Sequence, residues 1–200
     1  MNRLTELNKP KENADLVVKP IVEQVQAGDI HAYTEIIRRF QKQIYIYCYY
    51  LLNNKEEAED AAQDIFIKGL ENINRFSYTV SFSAWLYKIA HNHCIDLTKK
   101  KNKRFKFIQS FQKQHVHDSV QNHESKYDDI IHELLDKLNA EEKRILLLRS
   151  IEEYSFDEIA SIMELKPATV RKKYERLRKK LIHEKKLGGG YLEHSFKTEG

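Results

Sequence analysis

The sequence predicts an all-α protein: two small helical domains joined by a flexible linker, the second a four-helix domain holding a helix-turn-helix. Three observations carry this. Only 6 Gly and 3 Pro occur in 200 residues, which favours helices over turn-rich sheets. Apolar residues recur every three or four positions through most of the chain, and no stretch alternates with the period of two that a half-buried strand requires. That periodicity lapses over residues 105–127, between two strongly patterned stretches.

The elements follow in order. Residues 1–19 are polar and aperiodic and read as a mobile tail. "PIVEQVQAG" reads as a short helix ended by Gly28, and Asp29 suits the N-cap of the next. From Ile30 to Leu52, apolar positions at Tyr33, Ile36, Ile37, Phe40, Ile44, Tyr47, Cys48 and Leu51 mark a long amphipathic helix. "NNKEEAED" interrupts it and places acids in the first turn of a third helix that runs to about Ile73. "NRFSYTVS" is a loop carrying aromatics, and a fourth helix is expected from Phe82 to about Lys101. This first domain spans residues 20–104. The linker of residues 105–127 could reach roughly 75 Å if fully extended. The second domain spans residues 128–186: "YDDIIHELLDKL" is helical, Asn139 and Glu142 have capping-box spacing, Ser155 and Glu158 have the same spacing, and Pro167 suits the first position of a last helix. Residues 187–200, which include a run of three glycines, read as a flexible tail.

The net charge of +4 conceals a segregation. Residues 21–98 carry −3, 99–113 carry +7, 124–165 carry −7 and 166–186 carry +8. Two basic blocks, each following an acidic segment, are the footprint of a nucleic-acid binder with two contact points. Solvated helix ends would give basic blocks too, so charge alone does not decide.

Several classes are excluded. No run of eighteen apolar residues could cross a membrane, and the N-terminus lacks an apolar signal core, so a cytoplasmic protein without membrane insertion is expected. Cys48 and Cys94 lie in apolar helical patterns and read as buried, reduced thiols. "LGGGY" lacks the context of a phosphate loop. "HNHC" and "HVH" lack the paired spacing of a structural zinc site. No nucleophile–base pairing stands out. The expectation is a binding protein, not an enzyme, with no cofactor and no metal.

"FDEIASIMELKPATVRKKYERLRKKL" has the layout of a helix-turn-helix. Ile159 and Ile162 supply the inner face of its first helix and Leu165 fills the turn. Val170, Leu177 and Leu181, with Tyr174 between them, give the second helix a narrow apolar stripe that packs one side only. Thr169, Arg171, Lys172 and Glu175 point away from that stripe, at the end of the helix that meets base edges in the major groove. Arg can bond guanine in a bidentate way and Glu can accept from cytosine. Arg176, Arg178, Lys179 and Lys180 lie further along and suit phosphates. A membrane-surface helix fits less well, because large apolar wedges are missing. On the fourth helix Phe82, Leu86, Ile89, His93 and Leu97 form one face, flanked by Trp85 and Ala90, and Lys88, His91, Asn92, Ile95 and Lys99 share the other. A polar face of this kind beside an aromatic loop suits unstacked single-stranded bases, although Trp85, Phe76, Phe82 and Tyr87 have a plain core reading as well.

At this point the sequence resembles the bacterial RNA polymerase sigma factors of the extracytoplasmic-function group. The resemblance covers residues 21–104 and 128–183 and rests on "AEDAAQDIF", "FSAWLYKIAHN", "DLTKKKNKR", "LLDKLNAEEKRILLLR" and "SFDEIASIMELKPATVRKKYERLRKKL". It implies a first domain of the sigma region 2 type and a second of the region 4 type. It implies core RNA polymerase, promoter DNA and an anti-sigma protein as partners. It implies that Asp60, Gln63 and Asp64 dock on the polymerase clamp with Phe66 as apolar anchor. It implies that Asn74, Arg75, Phe76, Lys88, His91, Asn92 and Lys99 meet the −10 element, where a base is flipped into a pocket. It implies that Thr169, Arg171, Lys172, Glu175, Arg176, Arg178 and Lys179 read the −35 element as duplex. The chain departs from the family pattern at Glu164 (usually Gly), Lys166 (often Ser) and His91 (commonly Arg). The alternative is a stand-alone helix-turn-helix regulator that binds DNA without docking on polymerase.

Overall fold

The computed structural model describes residues 11–111, 131, 133–150 and 152–187, and among these no strand occurs. The first helix, α1 (Lys11–Gln26), begins nine residues before the expected start at Pro20 and takes in much of the expected tail. Pro20 sits inside it. Its missing N–H costs about 3 kcal/mol in a helix interior. Val18, Val22 and Val25 recur at helical spacing and are all buried, which offsets that cost at about 1.5–3 kcal/mol for each side chain taken out of water.

Gly28 ends the segment with φ 106°. The Asp29 carboxylate then accepts from the amides of His31 and Ala32 at 3.1 and 3.3 Å, capping a 3₁₀ turn (Ile30–Ala32) that leads into α2 (Tyr33–Leu52). Asn53 closes α2 in the left-handed region, and Asn54 caps α3 (Lys55–Asn72) through the amide of Glu57 at 2.8 Å. Ala58, Ala61, Ala62 and Gly69 make the inner face of α3 small, so α2 packs close against it. At Gly69 a Cβ would come within 2.5 Å of the Tyr33 hydroxyl, which donates to the carbonyl of Phe66 at 2.8 Å.

A 3₁₀ turn (Ile73–Arg75) and the loop after it are tied back to α1. Gln26 donates to the carbonyls of Ile73 and Phe76, and Tyr78 donates to that of Lys19. The fourth helix, α4 (Phe82–Phe111), runs ten residues past its expected end at Lys101, so the first seven residues of the expected linker are helical. Lys101 pairs with Glu57 at 2.8 Å and ties this helix to the start of α3. The rest of the linker lies outside the described residues.

The second unit comprises the helical residues 133–136, α5 (Ala140–Ser150), α6 (Phe156–Met163) and α7 (Pro167–Leu187). Both expected capping boxes form. Asn139 accepts from the amides of Glu141 and Glu142, while Glu142 accepts from the Asn139 amide at 3.0 Å. Ser155 accepts from the Glu158 amide at 3.2 Å, and Glu158 accepts from the Ser155 amide at 2.8 Å. Leu135, Ile145, Leu148, Ile159, Ile162, Val170 and Leu177 are buried together as this unit's core. The two units also pack on one another, α4 against α6 and α2 against α5.

Candidate nucleic-acid interface

On α7 the apolar stripe faces inward as its spacing predicts: Val170 and Leu177 are buried, and Tyr174 and Leu181 are half-buried. Arg171, Lys172, Glu175, Arg176, Arg178 and Lys179 are exposed, and Thr169 is half-buried near the helix start. Lys173 and Lys180 differ: they pair with Glu141 at 2.6 Å and Glu142 at 3.2 Å on α5, so these two cations serve the fold. The Arg171 guanidinium lies 5.5 Å from the centroid of the Phe156 ring, whose other neighbours are Arg149 at 5.0 Å and the Tyr174 ring at 5.5 Å. The turn between α6 and α7 is held by Glu164, at φ 56° and ψ 41°. A residue with a Cβ therefore occupies the left-handed position that glycine takes without strain, at a cost of roughly 1 kcal/mol. Lys166 supplies its carbonyl to the amides of Thr169 and Val170, in place of a side-chain cap.

The α4 surface divides differently from the expectation. Asn74, Arg75, Asn92 and Lys99 are exposed. Phe76 is 6 % exposed, with its ring 5.3 Å from Phe82, 5.2 Å from Trp85 and 4.9 Å from Tyr78. The core reading wins for it, because four aromatic rings close on one another and exclude water. Tyr78 remains 44 % exposed in the same loop. His91, expected on the DNA face, is buried as well. Burial, then the nearby Arg144 guanidinium, push its pKa down to about 4, and the Glu164 carboxylate opposes them only in part. Lys88 is half-buried and forms an ion pair with Glu164 at 2.9 Å. The Lys88–His91 end of α4's polar face thus meets the second unit, a contact that helical periodicity within one segment cannot reveal.

On α3, Asp60, Gln63 and Asp64 are exposed. Phe66, the expected anchor, is buried, and the correction follows from the helical period: residues 60, 63, 64 and 67 share a face, while the side chain of 66 turns inward. The exposed apolar residue on that face is Ile67, 56 % exposed, and the spacing from Asp60 could have found it. Asp64 lies 3.4 Å from His93 Nε2, and Lys68 meets the other ring nitrogen. Burial and then the Lys68 charge hold His93 below the ordinary histidine range, against the pull of Asp64.

Cys48 and Cys94 are buried with their sulfurs 3.7 Å apart. The Cys94 hydrogen bond and burial hold the Cys48 thiol far above the usual thiol range, so it remains protonated. Among the described residues no group of three or more His, Cys, Asp or Glu is placed to hold a metal ion, and no helix is long and apolar enough to cross a membrane.

The family model for Sigma-70 region 2 matches residues 36–104, and that for Sigma-70 region 4 matches residues 128–181. The chain is 31% identical over 179 residues to the ECF RNA polymerase sigma factor SigW of Bacillus subtilis, covering 84% of this chain and 96% of that one. This chain belongs to the ECF RNA polymerase sigma factors. It is 27% identical to the RNA polymerase sigma-H factor of Pseudomonas aeruginosa over 177 residues, 79% of this chain and 88% of that one. In fold it is similar to the sigma factor RpoE of Bartonella quintana, solved in complex with the anti-sigma factor NepR, with a TM-score of 0.63, 20% identity, and coverage of 76% of this chain and 95% of that one. As a sigma factor the chain acts in promoter-specific initiation of transcription, and the stand-alone regulator is not favoured, because it leaves the region 2 match without a role.

Proposed function

We propose that residues 20–104 dock on core RNA polymerase and engage the −10 element, while residues 128–186 read the −35 element. The observation that carries this reading is the row of exposed polar and charged groups on α7 over a buried apolar stripe, with Arg171, Lys172 and Glu175 near the N-terminal end and Arg176, Arg178 and Lys179 beyond. The early group reads base edges in the major groove and the later one holds phosphates. Thr169 stands at the entrance to the groove.

Asp60, Gln63 and Asp64 form the polymerase-docking face, and Ile67 supplies the apolar contact expected of Phe66. Exposed Asn92, with Asn74, Arg75 and Lys99, meets the separated strand, and Lys88 joins them when its partner Glu164 moves away. Tyr78 is the aromatic that can stack on an unpaired base, in place of Phe76. An anti-sigma protein is a partner of the kind recorded for the Bartonella relative, and the exposed faces of α3 and α7 are the surfaces it would cover.

In vitro transcription with core polymerase and a promoter library tests the whole assignment. The chain should select promoters with two elements. Asp60→Ala with Ile67→Ala should weaken core binding, and Asn92→Ala should slow strand opening more than initial binding. Wild-type permanganate footprints in Asn92→Ala would remove that residue from the site, and unchanged core affinity in the double variant would remove the docking face.

A further inference from the structure

One aromatic ring at the exposed edge of the α6–α7 packing has no part in the contacts assigned so far. Phe156 is the first residue of α6 and is half-buried. Its ring centroid lies 5.5 Å from that of Tyr174 on α7, with 58° between the ring planes. Two guanidiniums close on the same ring, Arg149 of α5 at 5.0 Å and Arg171 of α7 at 5.5 Å. Arg149 is itself tethered: it donates to the carbonyl of the buried Tyr154 at 2.9 Å. The ring is thus held by a tethered cation and by a half-buried neighbour on α7, and the exposed Arg171 rests on the ring so held.

Arg171 is the cation of the exposed row for which orientation matters most. Phosphates accept hydrogen bonds from many directions, but a bidentate bond to guanine O6 and N7 demands one plane and one angle of the guanidinium. An arginine free on a helix surface samples many rotamers and must surrender them when it binds. Glu175, four residues on, stands at the spacing of an ion pair that would occupy the N–H fork. A ring attracts the guanidinium through its quadrupole and leaves those N–H groups for a base edge.

We propose that Phe156 is the positioning residue for Arg171. It holds the guanidinium in a base-reading orientation, and so sets the preference of the chain at one base pair of the −35 element without itself contacting DNA. This rests on the reading of Arg171 as a group that meets base edges.

Two measurements test it. The first is promoter competition by the polymerase-bound chain, with every base pair tried at each −35 position. Arg171→Ala identifies the position that Arg171 reads. Phe156→Leu keeps an apolar side chain and loses the ring, so it should weaken preference at that position about two- to fivefold, the range for a cation–π contact at an exposed site. Preference elsewhere and the salt slope should stay as in wild type. Phe156→Tyr keeps the ring and should keep the preference. Added to Arg171→Ala, Phe156→Leu should cause no further loss of preference, because the two side chains act as one. A loss spread evenly over all positions is what a purely structural role gives. That result, an unchanged preference, or a further loss on top of Arg171→Ala overturns the proposal.

The second is nuclear magnetic resonance of the arginine Nε–H groups in the free full chain. The Arg171 signal should be shifted by the ring current of Phe156 and more ordered than that of the exposed Arg178, and both features should vanish in Phe156→Leu. An unshifted Arg171 as mobile as Arg178 overturns the positioning, whether or not Phe156→Leu folds. A shifted, ordered Arg171 whose replacement by alanine alters no base preference has a different meaning: the ring contact stands, but Arg171 leaves the base edges and Phe156 loses its part in specificity.

Discussion

Acid should destabilise this protein through His91, and the effect can be sized. The imidazole is buried on α4 and titrates at about 4, against an ordinary 6.5. The charges around it are Arg144 from α5, Glu164 at the end of α6, and Lys88 one turn back on its own helix, already paired with Glu164. Its Nδ1 has no hydrogen-bond partner, so nothing on that side favours the charged form. A folded-state value below the unfolded one means that the unfolded chain binds more protons between pH 6.5 and 4. The stabilisation is therefore complete above pH 6.5 and is lost as pH falls toward 4. At pH 5.0 the loss is about 2 kcal/mol, from about 1.4 kcal/mol for each unit below 6.5. Urea unfolding followed by Trp85, the single tryptophan, gives the stability at pH 7.5 and 5.0. Wild type should lose about 2 kcal/mol more than His91→Gln over that interval; the contributions of His93 and the carboxylates cancel in the difference. Equal losses in the two proteins would refute the burial argument. If His91→Gln does not fold, proton resonances of the His91 ring in wild type give the same answer, and a midpoint near 6.5 would refute it equally.

Three further outcomes follow from the geometry. Gly69→Ala should lower stability by about 1–3 kcal/mol despite the better helix propensity of alanine, because its Cβ must displace the Tyr33 hydroxyl; a melting temperature at or above wild type would count against the close packing of α2 on α3. Ser155→Ala should cost about 1 kcal/mol in the second unit, since it removes the side-chain acceptor of the α6 capping box, and chemical denaturation reads it directly. Arg171→Ala and Arg178→Ala should differ in kind. The first should cost about 1–3 kcal/mol and relax preference at one base pair of the −35 element, and the second should weaken all promoters alike and lower the salt slope by about 1, in promoter competition with the polymerase-bound chain.

The departures from the sequence reading share a physical origin. The α6 capping box, the Asp29 cap and the exposed row on α7 are local: each depends on residues within a turn or two, and each is legible from spacing. Pro20 was a local signal that misled, because it reads as a helix start. The burial of Val18, Val22 and Val25 against the rest of the domain carries the helix through it. Phe66 and Ile67 are adjacent in sequence, and the helical period separates them: Ile67 shares the exposed face of Asp60 and Asp64, while Phe66 falls on the buried side. Phe76 is buried by Phe82 and Trp85, which approach it from a different element.

The sequence by itself determined the helical class, the two units, the caps, and the family with the work that goes with it, because periodicity, capping and motif order are properties of contiguous residues. The tertiary structure alone decided which face of α4 is free. His91 and Lys88 look like surface groups until α5 and α6 arrive from more than fifty residues away, take His91 out of water and set a carboxylate on Lys88. Burial and pairing between distant segments depend on how whole helices pack, and no local pattern records that.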